Sequence, residues 1–499
     1  MKTDKNMFAL LGVMAVIGAG LVYWMTGPQG LGLDTDSIFY LQAAKNVALG
    51  LGVSAYSKAG NLASLAWYPP GFPVFLSSGW FLGIGFQDWA RLCNSIFFGA
   101  SVFLSGFFVF YVTKSWRPAF VAAGLFLTSV HFLDVHARLL AEPLFLAVLL
   151  GFFLALAMFI DTGRRRAFYT AALLAGLSVF VRYGGIVCIL AGAAAIIRSK
   201  REKAFRETVF FLLVSMALPL LLSLRNVLLT DHVFGGMIGH AAVSFEKVKI
   251  GIDTISEWIL PASVTFMVRW AVFAGVIMIG GLWWQRRKVM MSSEILRVMG
   301  CLAGFMTVYL GSCVVVMFTA HASSLDMDHR ILLPVYAAGA LLVAIAVHTA
   351  ESLPASERRI LAAVITIFFV MGAARSAHLW SRFHREGYGY TSKVFSSLET
   401  VKALRSIEDH VPLYSNDPAA VYYLTGRSAV KIPKVGEGVG YFPAMPVVFK
   451  DFRNDRAVAV IFGASGFVAH ARWENAATAV PLSILMKDPG AVIYGFKRK

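Results

Sequence analysis

The chain of 499 residues is 58% hydrophobic and only 15% charged. A soluble domain of that size cannot hide so much apolar surface in one core, so a water-soluble globular fold is excluded. The net charge of +17 sits in short clusters between apolar runs. That is the pattern of membrane orientation signals, and no nucleic-acid partner is expected.

Apolar runs long enough to cross a hydrocarbon layer of roughly 30 Å recur from Met7 to about Ala374. The first, Met7 to Met25, follows Lys2 and Lys5. Thr26-Gly27-Pro28 trails it in place of a small-x-small cleavage site, so it reads as a retained helix. Basic clusters at Lys114/Arg117, Arg164 to Arg166, Arg198 to Arg206, Arg286 to Arg297 and Arg358/Arg359 separate later runs. Placing all of them in the cytoplasm with the N-terminus predicts about eleven transmembrane helices. These fall near 7–26, 89–112, 118–133, 141–160, 167–182, 184–198, 208–228, 264–284, 299–320, 331–349 and 360–377. The stretch from Ala167 to Arg198 reads as two short helices or one long tilted one; two keep every basic cluster on one side.

An odd number of spans puts the first loop (27–88), the turn near 134–142, the loops at 225–262 and 321–330, and the tail on the extracytoplasmic face. The expected fold is a polytopic α-helical membrane protein. Residues 1–377 form its transmembrane domain, with the first loop included, and residues 378–499 a small extracytoplasmic α/β domain. In the tail, Asn416-Asp417-Pro418 and Asp488-Pro489-Gly490 separate β-rich runs at Val411–Tyr414, Ala457–Phe462 and Ala491–Tyr494. A helix from Pro418 to Leu424 should stop at Gly426. Cys93, Cys188, Cys301 and Cys313 all lie in expected spans without CxxC or Cys/His spacing, so neither disulfide nor zinc is expected.

The outward loops hold the chemistry. In Asp34-Thr35-Asp36-Ser37-Ile38-Phe39-Tyr40, Asp36 and Tyr40 share a helix face. Asp34 or Asp36 serves equally well as a helix cap, and the DxD spacing is also one that brings a metal to a diphosphate. Asp326-Met327-Asp328 repeats that spacing. Trp67-Tyr68-Pro69-Pro70-Gly71-Phe72-Pro73 breaks any continuous helix, and suits a membrane-surface anchor as well as a site. In His136-Ala137-Arg138-Leu139-Leu140-Ala141-Glu142-Pro143, a Glu at the mouth of an apolar helix is costly unless paired or functional. Arg138, four residues earlier, is the expected partner. His131, His136 and Asp134 imitate a metal site but read as ordinary interfacial residues. Arg182, Arg225 and Arg330, the last preceded by His329, fall on the same face. Each alone could snorkel, but three together suit an anionic ligand, and guanidinium forks match phosphate oxygens.

Together, D-x-D-S-x-x-Y, Y-P-P-G-F-P, R-x-x-x-E-P-L-F and R-x-L-L-P-x-Y resemble the GT-C glycosyltransferases. The nearest resemblance is to bacterial lipid-carrier-dependent enzymes related to protein mannosyltransferases and aminoarabinose transferases. The tail's Tyr414-Ser415-Asn416-Asp417-Pro418 through Arg427 is similar to a motif that often ends such chains. The resemblance implies a GT-C-like fold in a bacterial inner membrane, with the tail periplasmic. It also implies a polyprenyl-phosphate sugar as donor, an acceptor of unspecified class, and inverting transfer. Asp36 takes the place of the catalytic first-loop aspartate, because Tyr40 keeps the D-x-x-x-Y spacing. Glu142 matches the acidic position of the second outer turn, where it would orient the acceptor or join Asp34 and Asp36 around a divalent cation. Tyr68 stands where a Lys often precedes the Pro-Pro pair, and Lys58 is near in sequence as a substitute donor contact. Asp34, Tyr40, Lys58, Arg138, Arg182, Arg225, His329 and Arg330 are the expected substrate-binding set. A lipid-borne donor also fits the topology, since nucleotide sugars are made in the cytoplasm and do not cross a bilayer unaided. A flippase for lipid-linked sugars and a glycan ligase or polymerase stay open; the chain lacks the paired, interrupted helices that mark inverted-repeat transporters.

Overall fold

The computed structural model describes residues 2–57, 59–199, 201–235, 245–287, 291–319, 327–349, 353–432, 457–462, 483–487 and 491–495. In chain order the helices are α1 (Lys2–Met25), α2 (Thr35–Ala48), α3 (Gly71–Phe81), α4 (Phe86–Thr113), α5 (Trp116–Leu127), α6 (Val130–His136), α7 (Glu142–Thr162), α8 (Arg165–Val181), α9 (Ile186–Ile197), α10 (Ala204–Thr230), α11 (Phe245–Ser256), α12 (Phe266–Arg287), α13 (Ser293–Thr319), α14 (His329–Val347), α15 (Ala355–Glu386), α16 (Lys393–Ser396), α17 (Glu399–Arg405) and α18 (Pro418–Thr425).

Ten of the eleven expected spans each fall on one of these helices, and the expected span 118–133 runs across the break between α5 and α6. Among the described residues, seven helices are individually long and apolar enough to cross a membrane: α1, α4, α7, α10, α13, α14 and α15. The pair α5 and α6, bent by 55° at its break, makes an eighth if taken as one span. The chain is therefore an integral membrane protein. The stretch from Ala167 to Arg198 is two helices. At Arg182 the backbone leaves the helix for an extended conformation, and a single 3-10 turn, Tyr183–Gly185, leads into α9. A Cβ on Gly185 would lie 2.2 Å from the Ser178 carbonyl carbon, so only glycine lets the chain return so closely on α8.

Two compact units emerge. One comprises Met1–Met25, Ala66–Phe72 and Ala90–Ser381; the other comprises Thr26–Leu65, Pro73–Trp89 and Arg382–Lys499. Most of the first loop thus groups with the tail, where the sequence had placed it with the helices. In the first unit, α7 packs on α8, α8 on α10, and α13 on both α9 and α14. The helix α7 starts with Pro143 in its first turn and ends at Gly163 in a left-handed conformation.

The second unit holds a hairpin of β1 (Ser54–Tyr56) and β2 (Leu62–Ser64). It also holds a five-stranded sheet of β3 (Leu413–Ser415), β4 (Val430–Lys431), β5 (Val458–Phe462), β6 (Ser483–Lys487) and β7 (Ala491–Gly495), in the order β4-β3-β5-β7-β6. Strands β4, β3 and β5 run parallel, while β7 is antiparallel to β5 and β6. The three β-rich runs read from the sequence are β3, β5 and β7. The expected tail helix is α18, capped by Asp417 and ended by left-handed Gly426.

The first loop and the tail are bonded within this unit. Leu33 bridges Gly389, and the Thr391 hydroxyl donates to the Leu31 carbonyl at 3.0 Å. Tyr390 links both parts. Its hydroxyl is 3.1 Å from Thr35 Oγ1 and donates to Asp417 Oδ2 at 2.7 Å. Burial and the neighbouring Asp417 carboxylate push the Tyr390 phenol above its ordinary range.

Candidate active site

The expected site residues divide between the two units. In the second, Asp34 is the N-cap of α2: its Oδ1 accepts from the Ser37 backbone N–H at 3.1 Å and from the Ser37 hydroxyl at 3.0 Å. Ser37 Oγ in turn accepts the Asp34 N–H, completing a capping box. Capping therefore belongs to Asp34. Asp36 lies in the first turn of the same helix, where the helix dipole favours a carboxylate. Tyr40, one turn on, is buried. Lys58 lies outside the described residues.

In the first unit the structure builds a charged group that the sequence did not pair correctly. Buried Asn94 on α4 donates to the carbonyls of His136 (3.1 Å) and Arg138 (2.7 Å), shaping the turn between α6 and α7. Arg138 bonds to Asp134, one helical turn before it, at 3.4 Å. Glu142, only 2% exposed, takes its partners from elsewhere in the chain. Its Oε1 lies 2.6 Å from Arg182 Nη1 and accepts from Arg330 Nε at 3.0 Å. The expected Arg138–Glu142 pair thus gives way to a group joining α7, the α8–α9 break and the start of α14. Arg182 can reach Glu142 because α8 ends there in extended backbone. Arg330 is presented by a capped helix start, with Asp328 Oδ1 accepting the Arg330 and Ile331 N–H groups at 3.0 Å each. Asp328 is thus a cap, and Asp326 lies outside the described residues.

Arg225 sits apart from this carboxylate in its bonding, donating to Asn226 Oδ1 at 3.0 Å. Asn226 is fully buried and donates to the Tyr183 hydroxyl (2.9 Å) and the Val233 carbonyl (3.0 Å). The Tyr183 hydroxyl donates to the Ala66 carbonyl at 2.9 Å, tying the entrance of the Trp67-Tyr68-Pro69-Pro70 segment to the α8–α9 break.

His329 belongs to a second charged group, absent from the sequence reading. Its Nε2 is 2.9 Å from Glu257 Oε2, Arg269 Nη1 donates to Glu257 Oε1 at 2.9 Å, and Arg269 also ion-pairs with Asp253. The hydrogen bond from His329, with help from Arg269, holds the Glu257 carboxyl below its ordinary range against the opposing effect of burial. Arg269 lies at the start of an expected apolar span, and an ionisable residue there was the signal available.

Among the described residues, no group of three His, Cys, Asp or Glu side chains is placed to hold a metal ion. Of the expected ligands, Asp34 caps α2 and Glu142 binds two guanidinium groups.

No family model matches the chain, and no curated protein matches it. Solved structures do. ArnT from Cupriavidus metallidurans, bound to undecaprenyl phosphate, aligns with a TM-score of 0.59 over 97% of both chains at 14% identity. The mycobacterial arabinofuranosyltransferase AftD aligns at 0.57 over 98% of this chain and 40% of its own, at 13% identity. The archaeal oligosaccharyltransferase AglB from Archaeoglobus fulgidus, in complex with an inhibitory peptide and a dolichol-phosphate, aligns at 0.56 over 92% and 70%, at 11% identity.

The chain has the GT-C fold. That fold runs through nearly the whole length shared with ArnT, tail included.

Proposed function

We propose that the protein is a membrane glycosyltransferase that moves a sugar from a polyprenyl-phosphate carrier to an acceptor on the extracytoplasmic face. The observation that carries the reading is the end-to-end fold likeness to ArnT, whose structure holds undecaprenyl phosphate, combined with a first-loop carboxylate that does not serve as the cap. With Asp34 holding the helix start, Asp36 takes the role of general base on the acceptor's hydroxyl or amine. Transfer is a single inverting displacement. The acceptor oxygen or nitrogen bonds the anomeric carbon, the bond from that carbon to the phosphate oxygen breaks, and the acceptor's proton passes to Asp36. The leaving phosphate is already an anion and requires no general acid.

Arg182 and Arg330 support the phosphate side of this reading. Two guanidinium groups share one buried carboxylate oxygen, so cations outnumber the anion in that group, and Glu142 acts as the positioning residue that fixes both. Such preorganised donors stabilise charge that grows on a leaving group. The likeness to AglB favours a second reading, transfer of a whole glycan instead of one sugar.

The purified protein, supplied with a panel of polyprenyl-phosphate monosaccharides, should release polyprenyl phosphate and form a product of inverted anomeric configuration. Asp36→Asn should abolish release while the protein keeps its thermal melt. Retained configuration, or undiminished release by Asp36→Asn, would overturn the mechanism. Release only from carriers bearing oligosaccharides would favour the second reading.

A further inference from the structure

Within the second unit, the tail motif Tyr414–Arg427 carries a carboxylate that divides its two oxygens. Asp417 Oδ1 accepts the Ala420 N–H at 3.1 Å and caps α18, while Oδ2 accepts the Tyr390 hydroxyl at 2.7 Å. The carboxylate is itself anchored on both sides. The Asp417 N–H donates to Ser415 Oγ at 3.0 Å, and Asn416 exchanges hydrogen bonds with Phe462 of β5.

Tyr390 is buried, with its ring against those of Phe395 and Tyr423. Burial and the Asp417 carboxylate keep its phenol protonated. A phenol has one proton, and this one goes to Asp417. At Thr35 Oγ1, 3.1 Å away, the Tyr390 oxygen therefore accepts, and the Thr35 hydroxyl donates. A directed chain results, from Thr35 through Tyr390 to Asp417, in which each hydrogen bond polarises the next.

This chain reaches α2 at its first residue, between the capping Asp34 and Asp36. The helix start does not need it as a cap, because Asp34 and Ser37 already close the capping box. Thr35 is exposed, yet its hydroxyl is spent on a buried tyrosine 355 positions away. The backbone just before it is hooked to the same stretch of the tail. The Leu33 carbonyl accepts the Tyr390 N–H at 3.0 Å, and the Leu31 carbonyl accepts the Thr391 hydroxyl at 3.0 Å. That stretch fits closely because Gly389 is left-handed, with φ of 61°, and a Cβ there would overlap the Leu33 carbonyl oxygen.

We propose that Tyr390 and Asp417 are positioning residues for Asp36: through Thr35 they fix the first turn of α2 against the tail, so that the Asp36 carboxylate is held for proton transfer. Their role rests on Asp36 being the general base.

The test is steady-state release of polyprenyl phosphate by the purified full-length protein, with the polyprenyl-phosphate monosaccharide it uses best as donor. Tyr390→Phe keeps the buried ring and removes only the hydroxyl. It should lower kcat roughly tenfold and leave the donor KM within about twofold, because a displaced base slows the chemical step alone. Thr35→Val should do the same, and Thr35→Ser, which keeps the hydroxyl, should recover most of that loss. The two substitutions Tyr390→Phe and Thr35→Val together should lose no more than either alone, since one chain carries both effects. Undiminished kcat in folded Tyr390→Phe, a rise in KM in place of a fall in kcat, or a fully additive double variant would overturn the positioning role. If Tyr390→Phe fails to fold, Thr35→Val and its recovery in Thr35→Ser decide the question from the exposed end of the chain. Full release by Asp36→Asn in the same assay would instead overturn the base assignment itself, and the positioning role with it.

Discussion

Asp34 and Asp36 are two residues apart, and of the two it is Asp34 that caps α2. Asp34 closes a capping box with Ser37, and its loss should behave as a stability defect. Asp34→Ala should cost about 1 kcal/mol of stability, with sugar transfer reduced only in proportion. Asp36→Asn should leave the melt unchanged and lower transfer at least ~100-fold, the scale of a lost general base; measuring both properties on both variants separates the roles. The sequence left capping open between these two residues because cap geometry depends on backbone angles that residue types alone do not decide. Glu142 was recognisable as costly in its place, but its partners were not. Arg182 and Arg330 lie 40 and 188 positions away, whereas Arg138 lay one helical turn away. Glu142→Gln should be strongly destabilising, by about 3–5 kcal/mol, because it strips charge from a buried ion group; a loss under 1 kcal/mol in denaturant titration would count against that arrangement. Glu257 supplies a pH signature. Its carboxyl titrates lower in the folded protein than the ordinary value of 4.5. Its stabilising contribution is therefore full above that value and is lost as pH falls through the folded one. Glu257→Gln should flatten this part of the acid limb in melts recorded across that range.

At the level of elements, the helices were legible because apolar runs between basic clusters are a one-dimensional signal; the bend that divides the expected span 118–133 into α5 and α6 was not, because no proline or charge marks it. The tail strands were legible for a similar reason, through β-rich runs bounded by turn residues. The pairing of the first loop with the tail was not, because Leu33–Gly389 and Thr35–Tyr390 join positions some 355 residues apart and leave no local pattern. The α8–α9 break shows how an element places a functional group. Gly185 lets the chain double back against Ser178, and the Ser178 hydroxyl donates to the Gly185 carbonyl at 3.0 Å. Arg182 is delivered at the resulting bend. Gly185→Ala should therefore lower the melting temperature and reduce transfer together, through displacement of Arg182. An unchanged melt would show that the break tolerates a side chain and that the close approach is not what sets the bend.

For the molecule as a whole, the tail motif from Tyr414 to Arg427 proves to be architecture. Asn416 exchanges hydrogen bonds with the Phe462 backbone at 2.9 Å in both directions, Asp417 caps α18, and Arg427 bonds the carbonyls of Ile407 and Val411. A motif associated with the fold thus closes a domain, and through Tyr390 it holds the α2 start that carries Asp36. We propose that this framework performs sugar transfer from a lipid carrier with Asp36 as base. Lipid mass spectrometry of cells lacking the protein, complemented with wild type or Asp36→Asn, tests it most directly. One polyprenyl-phosphate sugar should accumulate in the null and in the variant and disappear with wild type. Full rescue by Asp36→Asn, or no accumulated species in the null, would contradict it.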